Sequence, residues 1–260
     1  MNIQRADLIK ERDSLLEHIL YKIQESPVSR ENLIIRGGAA LHFFYSSPRY
    51  SSDIDAAIEE GGFDLYKNHI IKDLNKDICI DNKVYHPKLA KNNTDFFRIS
   101  YNQDIPNTPN GKIEVDRISA PKKFKKSEGK YSPILVEDPS EIYADKVIAT
   151  MHRMKMRGSM KPSDLFDMDY IVNVLKTKAT KEEIRQKAKS YNDYGWEIQV
   201  LDNVLKYITD SKKFDEFRRV LEESMMPDFF ETQKFDNAYF ESKAEYFEEI
   251  KPLFERSLFE

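Results

Sequence analysis

Cysteine is almost missing: Cys79 is the only one in 260 residues. One thiol permits no intrachain disulfide and no cysteine-based zinc site, which fits a reducing compartment and points to the cytoplasm. Long apolar runs are missing too. The longest stretch without a charged residue, 37–48, covers twelve residues and includes serines and a proline, well short of the ~20 that a membrane span needs. The opening stretch MNIQRADLIKERD has no uninterrupted apolar segment of the signal-peptide kind, so a soluble chain with no membrane partner is expected. A strong charge excess is also lacking, since 41 basic residues face 45 acidic ones for a net charge of −4. Any contact with nucleic acid must then rest on a local patch. No internal repeat or low-complexity tract is visible. What the chain does hold, 40% apolar and 12% aromatic residues, is enough to bury a sizeable core in one large domain or two modest ones.

Apolar residues at helical spacing from Leu8 to Ile23 predict a helix over 6–25, closed by Pro27. A short strand at 33–35 runs into Gly37-Gly38, a helix follows over 39–45, and another short strand occupies 54–58. A helix at 64–74 and strands at 79–85, 96–101, 112–118 and 133–136 complete the pattern, with turn chemistry at 107–111 able to join two antiparallel strands. Beyond 137 the strand signal ends. Asp138-Pro139-Ser140-Glu141 reads as a helix start that carries to Arg157 before Gly158. Further helical patterns follow at 164–175, from Thr180 with Glu183 three residues on, and at 201–208, 214–221 and 246–254. The expected class is α+β, with an α+β domain over 1–160 and a helical domain over 161–260.

Asp53-Ile54-Asp55 places two carboxylates on alternate positions of a strand, so both leave one face and can grip one hard cation. Alone, Asp-x-Asp is equally turn chemistry at a strand end. Its context adds Gly37-Gly38 between strand and helix, where backbone N–H groups can approach a phosphate, although such a pair also makes an ordinary tight turn. Asp116 shares a strand face with Glu114 and joins the pair if its strand lies beside Asp53 and Asp55. Lys146, Thr150, Arg153 and Arg157 recur along one helix face, suited to a triphosphate or to solvent near a helix C-terminus. Asp164 and Asp167 are acids that also suit a helix N-terminus.

These residues carry a resemblance. The stretch LIIRGGAALHFFYSSPRYSSDIDAAI resembles the first motif of the AbiEii/AbiGii toxin family, nucleotidyltransferases of the DNA polymerase β superfamily. The matching positions are Gly37, Gly38, Ala40, Leu41, Tyr45, Arg49, Ser51, Asp53 and Asp55, with fourteen residues between Gly38 and Asp53. KIEVDRIS is similar to the second motif and supplies Asp116. PSEIYADKVIATMHRMKMR resembles the third, whose helical lysine falls on Lys146. KPSDLFDMDYI resembles the fourth, usually Arg-Asp-x-x-Asp, with Ser163 in place of the arginine and Asp164 and Asp167 retained. The superfamily often has Gly-Ser where this chain has Gly38, so a hydroxyl contact to the γ-phosphate is absent or comes from Ser51 or Ser52.

The resemblance implies a polymerase β-like domain, a mixed twisted sheet flanked by helices, followed by a helical bundle. It implies transfer of a nucleoside monophosphate from an NTP, with pyrophosphate leaving. Asp53, Asp55 and Asp116 would hold Mg²⁺ or Mn²⁺, or Asp116 would instead activate the acceptor hydroxyl. Gly37 and Gly38 would cradle the phosphates, Lys146 would neutralise departing charge, and Arg153, Asp164 and Asp167 would serve the nucleotide. Family members act as toxins, some on tRNA ends, beside a cognate antitoxin. An inactive fold that binds RNA or protein, and a small-molecule nucleotidyltransferase, are the other readings of the same motifs. Finally, PKKFKKSEGK over 121–130 sets five lysines around one aromatic. Lys122, Lys123, Lys125 and Lys126 could track an RNA backbone and Phe124 stack on a base, or the stretch is a solvated loop.

Overall fold

The computed structural model describes residues 3–103, 108–118, 123–190 and 197–254, and the chain divides into two compact units, Met1–Asp138 and Pro139–Glu260. The first begins with α1 (Ile3–Glu25) and α2 (Pro27–Asn32). Ser26 caps α2 by accepting from Ser29 N–H at 3.1 Å, and Pro27 fills the first helical position. Then come β1 (Ile34–Arg36), α3 (Gly37–Tyr45), β2 (Ile54–Glu59), α4 (Glu60–Leu74), β3 (Ile78–Ile80), β4 (Lys83–Asn92), β5 (Phe96–Asn102), β6 (Gly111–Ile118), β7 (Phe124–Lys126) and β8 (Leu135–Glu137).

The strands form one mixed sheet in the order β3-β4-β5-β6-β2-β1-β8-β7. β2 lies parallel to β6 and β1 parallel to β8, and the remaining neighbours are antiparallel. Period-two alternation sorts the faces. Phe97, Ile99 and Tyr101 of β5, Ile113 and Val115 of β6 and Ile54, Ala56 and Ile58 of β2 are buried on one side. α1 covers that side with Leu15, Leu16, Ile19, Leu20 and Ile23, all fully buried. α4 joins it through Phe63, whose ring lies 6.3 Å from that of Phe97. The opposite face carries the polar alternates Asp55, Lys112, Glu114, Asp116 and Arg98, with the aromatic Phe96 beside them.

Two expectations change. The stretch 79–85 is a hairpin, not one strand: Asp81 and Asn82 take left-handed backbone at φ +48° and +64°, the pair of positive φ angles that a tight two-residue turn needs. Phe124–Lys126, read as loop, pairs antiparallel with β8 as an exposed strand at the sheet's end, where lysines are a usual guard against further pairing. β5 and β6 pair antiparallel, with Asn107 of the expected turn outside the described residues.

The described part of the second unit is helical: α5 (Pro139–Arg157), α6 (Pro162–Asn173), α7 (Lys181–Ser190), α8 (Ile198–Ile208), α9 (Phe214–Glu222), α10 (Pro227–Thr232), α11 (Asn237–Ser242) and α12 (Glu245–Glu248). The sequence grouping set α5 with the first domain, whereas it packs on α6, α7 and α8. The Thr180–Glu183 capping box forms in both directions, at 2.7 and 3.2 Å. Asp169 of α6 accepts from Tyr246 at 2.8 Å and Lys243 at 2.7 Å, fastening the C-terminal helices to α6. No described helix is long and apolar enough to cross a membrane.

An ideal Cβ at Gly111 would lie 2.8 Å from Leu15 Cγ, whereas one at Gly61 would meet nothing within 4 Å. Gly111→Ala is therefore expected to cost about 1–3 kcal/mol by overpacking and Gly61→Ala to be neutral or slightly stabilising. Urea unfolding of the two variants beside wild type checks the contrast.

Candidate active site

β1 ends at Arg36, and the chain turns into α3 through Gly37 at φ +58°, a conformation that glycine alone adopts without strain. Gly38 is constrained by space instead. A Cβ there would lie 2.5 Å from Arg49 Nη2 and 3.3 Å from Ser51 Oγ, because the 46–53 segment folds back over the turn. Ser51 thus sets its hydroxyl against the place where a serine at position 38 would project. It donates to the Asp53 carbonyl at 2.8 Å, and Ser52 Oγ donates to Asp53 Oδ1 at 2.9 Å. Asp55 lies against the turn too, with Oδ2 3.6 Å from an ideal Cβ at Gly37.

Register sets the carboxylates on one face of the sheet. Asp55 stands opposite Arg36 on β1 and Glu114 on β6, and Asp116 stands opposite Ala57, so Asp53, Asp55 and Asp116 share one sheet face. Lys112 Nζ bridges Asp53 Oδ2 at 2.8 Å and Glu114 Oε1 at 3.0 Å, and Arg98 meets Glu114 at 2.8 Å. Burial disfavours the Lys112 ammonium, but its bonds to Asp53 and Glu114 outweigh that and hold its pKa above the usual lysine range. The Asp116 carboxyl is pushed up, by burial first and by Glu114, against the pull of Arg36.

Three hard oxygen donors on adjacent strands suit a cation such as Mg²⁺. As they stand, no three His, Cys, Asp or Glu groups among the described residues are gathered closely enough to hold a metal. The Lys112 ammonium and the Arg12 guanidinium both supply counter-charge at Asp53.

Sequence reasoning missed Glu137. It is fully buried, accepts from Arg36 Nε and from Gly37 N–H, both at 3.4 Å, and its carbonyl accepts from Tyr45 OH at 2.8 Å. A lone acid in a three-residue strand carries no periodic signal. Arg36, which pulls on both Glu137 and Asp116, was missed as well.

In the second unit Lys146 reaches Asp164 Oδ1 at 2.8 Å and Asp167 Oδ2 at 2.7 Å, and Arg153 Nη1 reaches Asp164 Oδ2 at 2.7 Å. The third and fourth motifs are therefore one ion-pair cluster, which Arg157, exposed at the end of α5, does not join. Burial alone would raise the Asp164 carboxyl, but Lys146 and Arg153 hold it down at about 2. Lys123, Phe124, Lys125 and Lys126 lie at β7, separated from β2 by β8 and β1. Lys122 lies outside the described residues.

Solved structures share this architecture. MenT4, a nucleotidyltransferase toxin from Mycobacterium tuberculosis, superposes with a TM-score of 0.55 at 13% identity, over 96% of this chain and 92% of its own. JHP933 from Helicobacter pylori does so at 0.53 and 14%, over 98% and 95%. Likeness at that identity shows a shared fold alone. The family described as nucleotidyl transferase AbiEii toxin, of a type IV toxin–antitoxin system, matches residues 18–253. The chain belongs to that family of toxin-type nucleotidyltransferases. No curated protein matches the sequence.

Two outcomes follow from the second-unit cluster. The Lys146 side chain is only 15% exposed, so it is not the solvated lysine that a clean functional probe requires. Lys146→Ala would take the shared cation from the buried Asp164 and Asp167 and should destabilise the unit by about 3–5 kcal/mol, with Asp167→Asn partly restoring stability in the double variant. Chemical denaturation of the three proteins measures this. Because the folded Asp164 carboxyl lies below its ordinary value near 3.8, its contribution, about 2 kcal/mol, is complete above that value. It disappears as pH falls towards 2. Unfolding free energies across that window should show this acid-sensitive step in wild type and not in Asp164→Asn.

Proposed function

We propose that the protein transfers a nucleoside monophosphate from an NTP to a hydroxyl of RNA, with tRNA the favoured acceptor, in the cytoplasm and under control of a cognate antitoxin. The observation that carries this is the single sheet face shared by Asp53, Asp55 and Asp116 beside the Gly37 turn. In the reaction the acceptor oxygen attacks the α-phosphorus, the bond to the β-phosphate oxygen breaks, and pyrophosphate leaves. Asp53, Asp55 and Asp116 would hold Mg²⁺ or Mn²⁺, which when bound neutralises charge on the phosphoryl oxygens.

The chain's own groups do the rest. Glu137 takes the Gly37 N–H, so the phosphate cradle consists of Gly38 and the amides that follow at the start of α3, with Arg49, Ser51 and Ser52 beside them. Where it does not hold the ion, Asp116, its carboxyl raised by burial, accepts the proton of the acceptor hydroxyl. Following the family resemblance, Lys146 and Arg153 neutralise the leaving charge, with Asp164 and Asp167 as positioning residues. Lys122, Lys123, Phe124, Lys125 and Lys126 would be outlying contacts to a long acceptor.

The Lys112 ammonium on Asp53, with no ready three-carboxylate metal set among the described residues, supports a second reading: an inactive fold that binds RNA or protein. Incubation with each α-labelled NTP, Mg²⁺ or Mn²⁺, total RNA and lysate separates the two. Label should enter RNA, and Asp53→Ala or Asp55→Ala should lower incorporation about 10³-fold or more while the fold persists. A variant retaining a third of wild-type transfer would overturn the assignment, and label in nothing at all would favour the inactive module.

A further inference from the structure

The sheet face that bears the carboxylates extends past them. β5 lies beside β6 with Phe96 directly opposite Asp116 and Arg98 opposite Glu114. β4 continues the row, with Lys91 opposite Arg98 and Lys88 opposite Ser100. Directly paired residues share a face, so Phe96, Arg98, Lys91 and Lys88 project on the same side as Asp116, and the hydrophobic alternates Phe97 and Ile99 face α1 and α4. Lys88 and Lys91 are exposed and Phe96 half-buried. Arg98 lies 5.6 Å from the Phe96 ring centre and the Lys91 ammonium 6.0 Å. The lysine contact is at the outer limit of a cation–π attraction, so the ammonium gives up little by turning to a phosphate.

We infer that this β4–β5 surface is the binding site for the acceptor end, a single-stranded RNA terminus whose last bases stack on Phe96 while its backbone runs over Lys91 and Lys88. The inference rests on the RNA-transfer reading above and adds to it a surface that the motifs do not contain. Directly opposite antiparallel residues bring their Cβ atoms within about 5 Å, so a base on Phe96 places its own sugar beside Asp116. The Gly37–Gly38 turn, Arg49 and Ser51 lie on the other flank of β2, towards β1. The two flanks can thus take two different polyanions, a triphosphate at the turn and a chain of phosphates along β4. Two exposed lysines on β4, two strands across from Asp116 and running alongside the carboxylates, fit a ligand longer than one nucleotide, and an aromatic with neighbouring cations is the usual platform for unpaired bases.

The test uses the full chain and a fluorescent five-nucleotide single-stranded RNA, read by anisotropy over a salt series, with ATP binding measured in parallel by calorimetry. Phe96→Ala should weaken RNA binding about tenfold or more, and Phe96→Trp should retain it. Lys88→Ser/Lys91→Ser, both at exposed positions, should flatten the log–log salt slope by about 1.4, near 0.7 for each single-strand phosphate that is no longer neutralised. ATP affinity should be unchanged in all of them, and melting curves should match wild type. Lys123→Ser/Lys125→Ser/Lys126→Ser, at β7, should bind the short RNA as wild type does.

If wild type binds the RNA and the β4–β5 variants bind it equally well, this surface is not the acceptor site, although RNA transfer stands. Weakened binding through the β7 variant alone also overturns the proposal and moves the site to that edge. If the variants lose ATP in proportion, Phe96 serves the incoming nucleotide and the proposal fails. Should wild type bind ATP but no RNA, or label only a protein or small molecule, the RNA reading itself fails and the acceptor surface fails with it.

Discussion

The first unit's site depends on one buried carboxylate. Glu137 has no exposed surface, and an isolated ionised acid in such a place would cost several kcal/mol unless compensated. Its compensation comes from the Arg36 guanidinium and the Gly37 amide, two consecutive groups at the point where β1 becomes α3. Satisfying Glu137 therefore fixes that turn. The left-handed backbone of Gly37 follows from the fixed turn, and with the turn set, Arg49 and Ser51 can close over Gly38. The hydroxyls of Ser51 and Ser52 in turn hold Asp53 at the head of β2. Removing the Glu137 carboxylate would take a counter-charge from Arg36 and free the turn at the same time.

Charge compensation takes the same form in both units. In the first, Lys112 stands between Asp53 and Glu114. In the second, Lys146 stands between Asp164 and Asp167. Each lysine bridges two acids in partly dry surroundings, and each is shared, so neither acid owns its counter-ion outright. That sharing matters at Asp53, where Glu114 can retain the ammonium if a divalent cation takes its place. Asp164 receives a second cation, Arg153. The fourth motif of this chain has Ser163 where its family usually has arginine, and the guanidinium that meets Asp164 is Arg153 of the preceding helix.

What was legible in the sequence was whatever repeats or punctuates. α1 could be read from its leucines and isoleucines, β5 and β6 from strict alternation, the turn from Gly37-Gly38, and the α7 start from Thr180 and Glu183. Asp116 could be placed beside Asp53 and Asp55 only conditionally, and the parallel pairing of β2 with β6 supplied the condition. What stayed hidden was set by tertiary contact. Glu137 looks like any acid before a helix, and only the pairing of β8 with β1 aims it at Arg36. The lysines at 123–126 read as a loop because nothing local shows that β8 offers them an open edge. The turn at Asp81-Asn82 was hidden for a different reason: the flanking apolar residues continue the strand pattern straight through it.

Sheet order explains why the polar face can serve two ligands without mixing them. β2 sits at the centre of the carboxylates, antiparallel to β1 on one side and parallel to β6 on the other. On the β1 side the chain leaves the sheet at once, through Gly37 into α3, and so presents backbone amides at a helix N-terminus, which favour a compact anion such as a terminal phosphate group. On the β6 side the sheet continues through β5 and β4, and so presents rows of side chains at strand spacing, about 4.8 Å apart, which favour an extended ligand. Strand direction decides this asymmetry. In the parallel register Asp116 stands opposite Ala57, two residues along β2 from Asp55, with Phe96 beside it on β5. The parallel pair therefore links the carboxylates to the aromatic and lysine surface and leaves the glycine turn to the other flank.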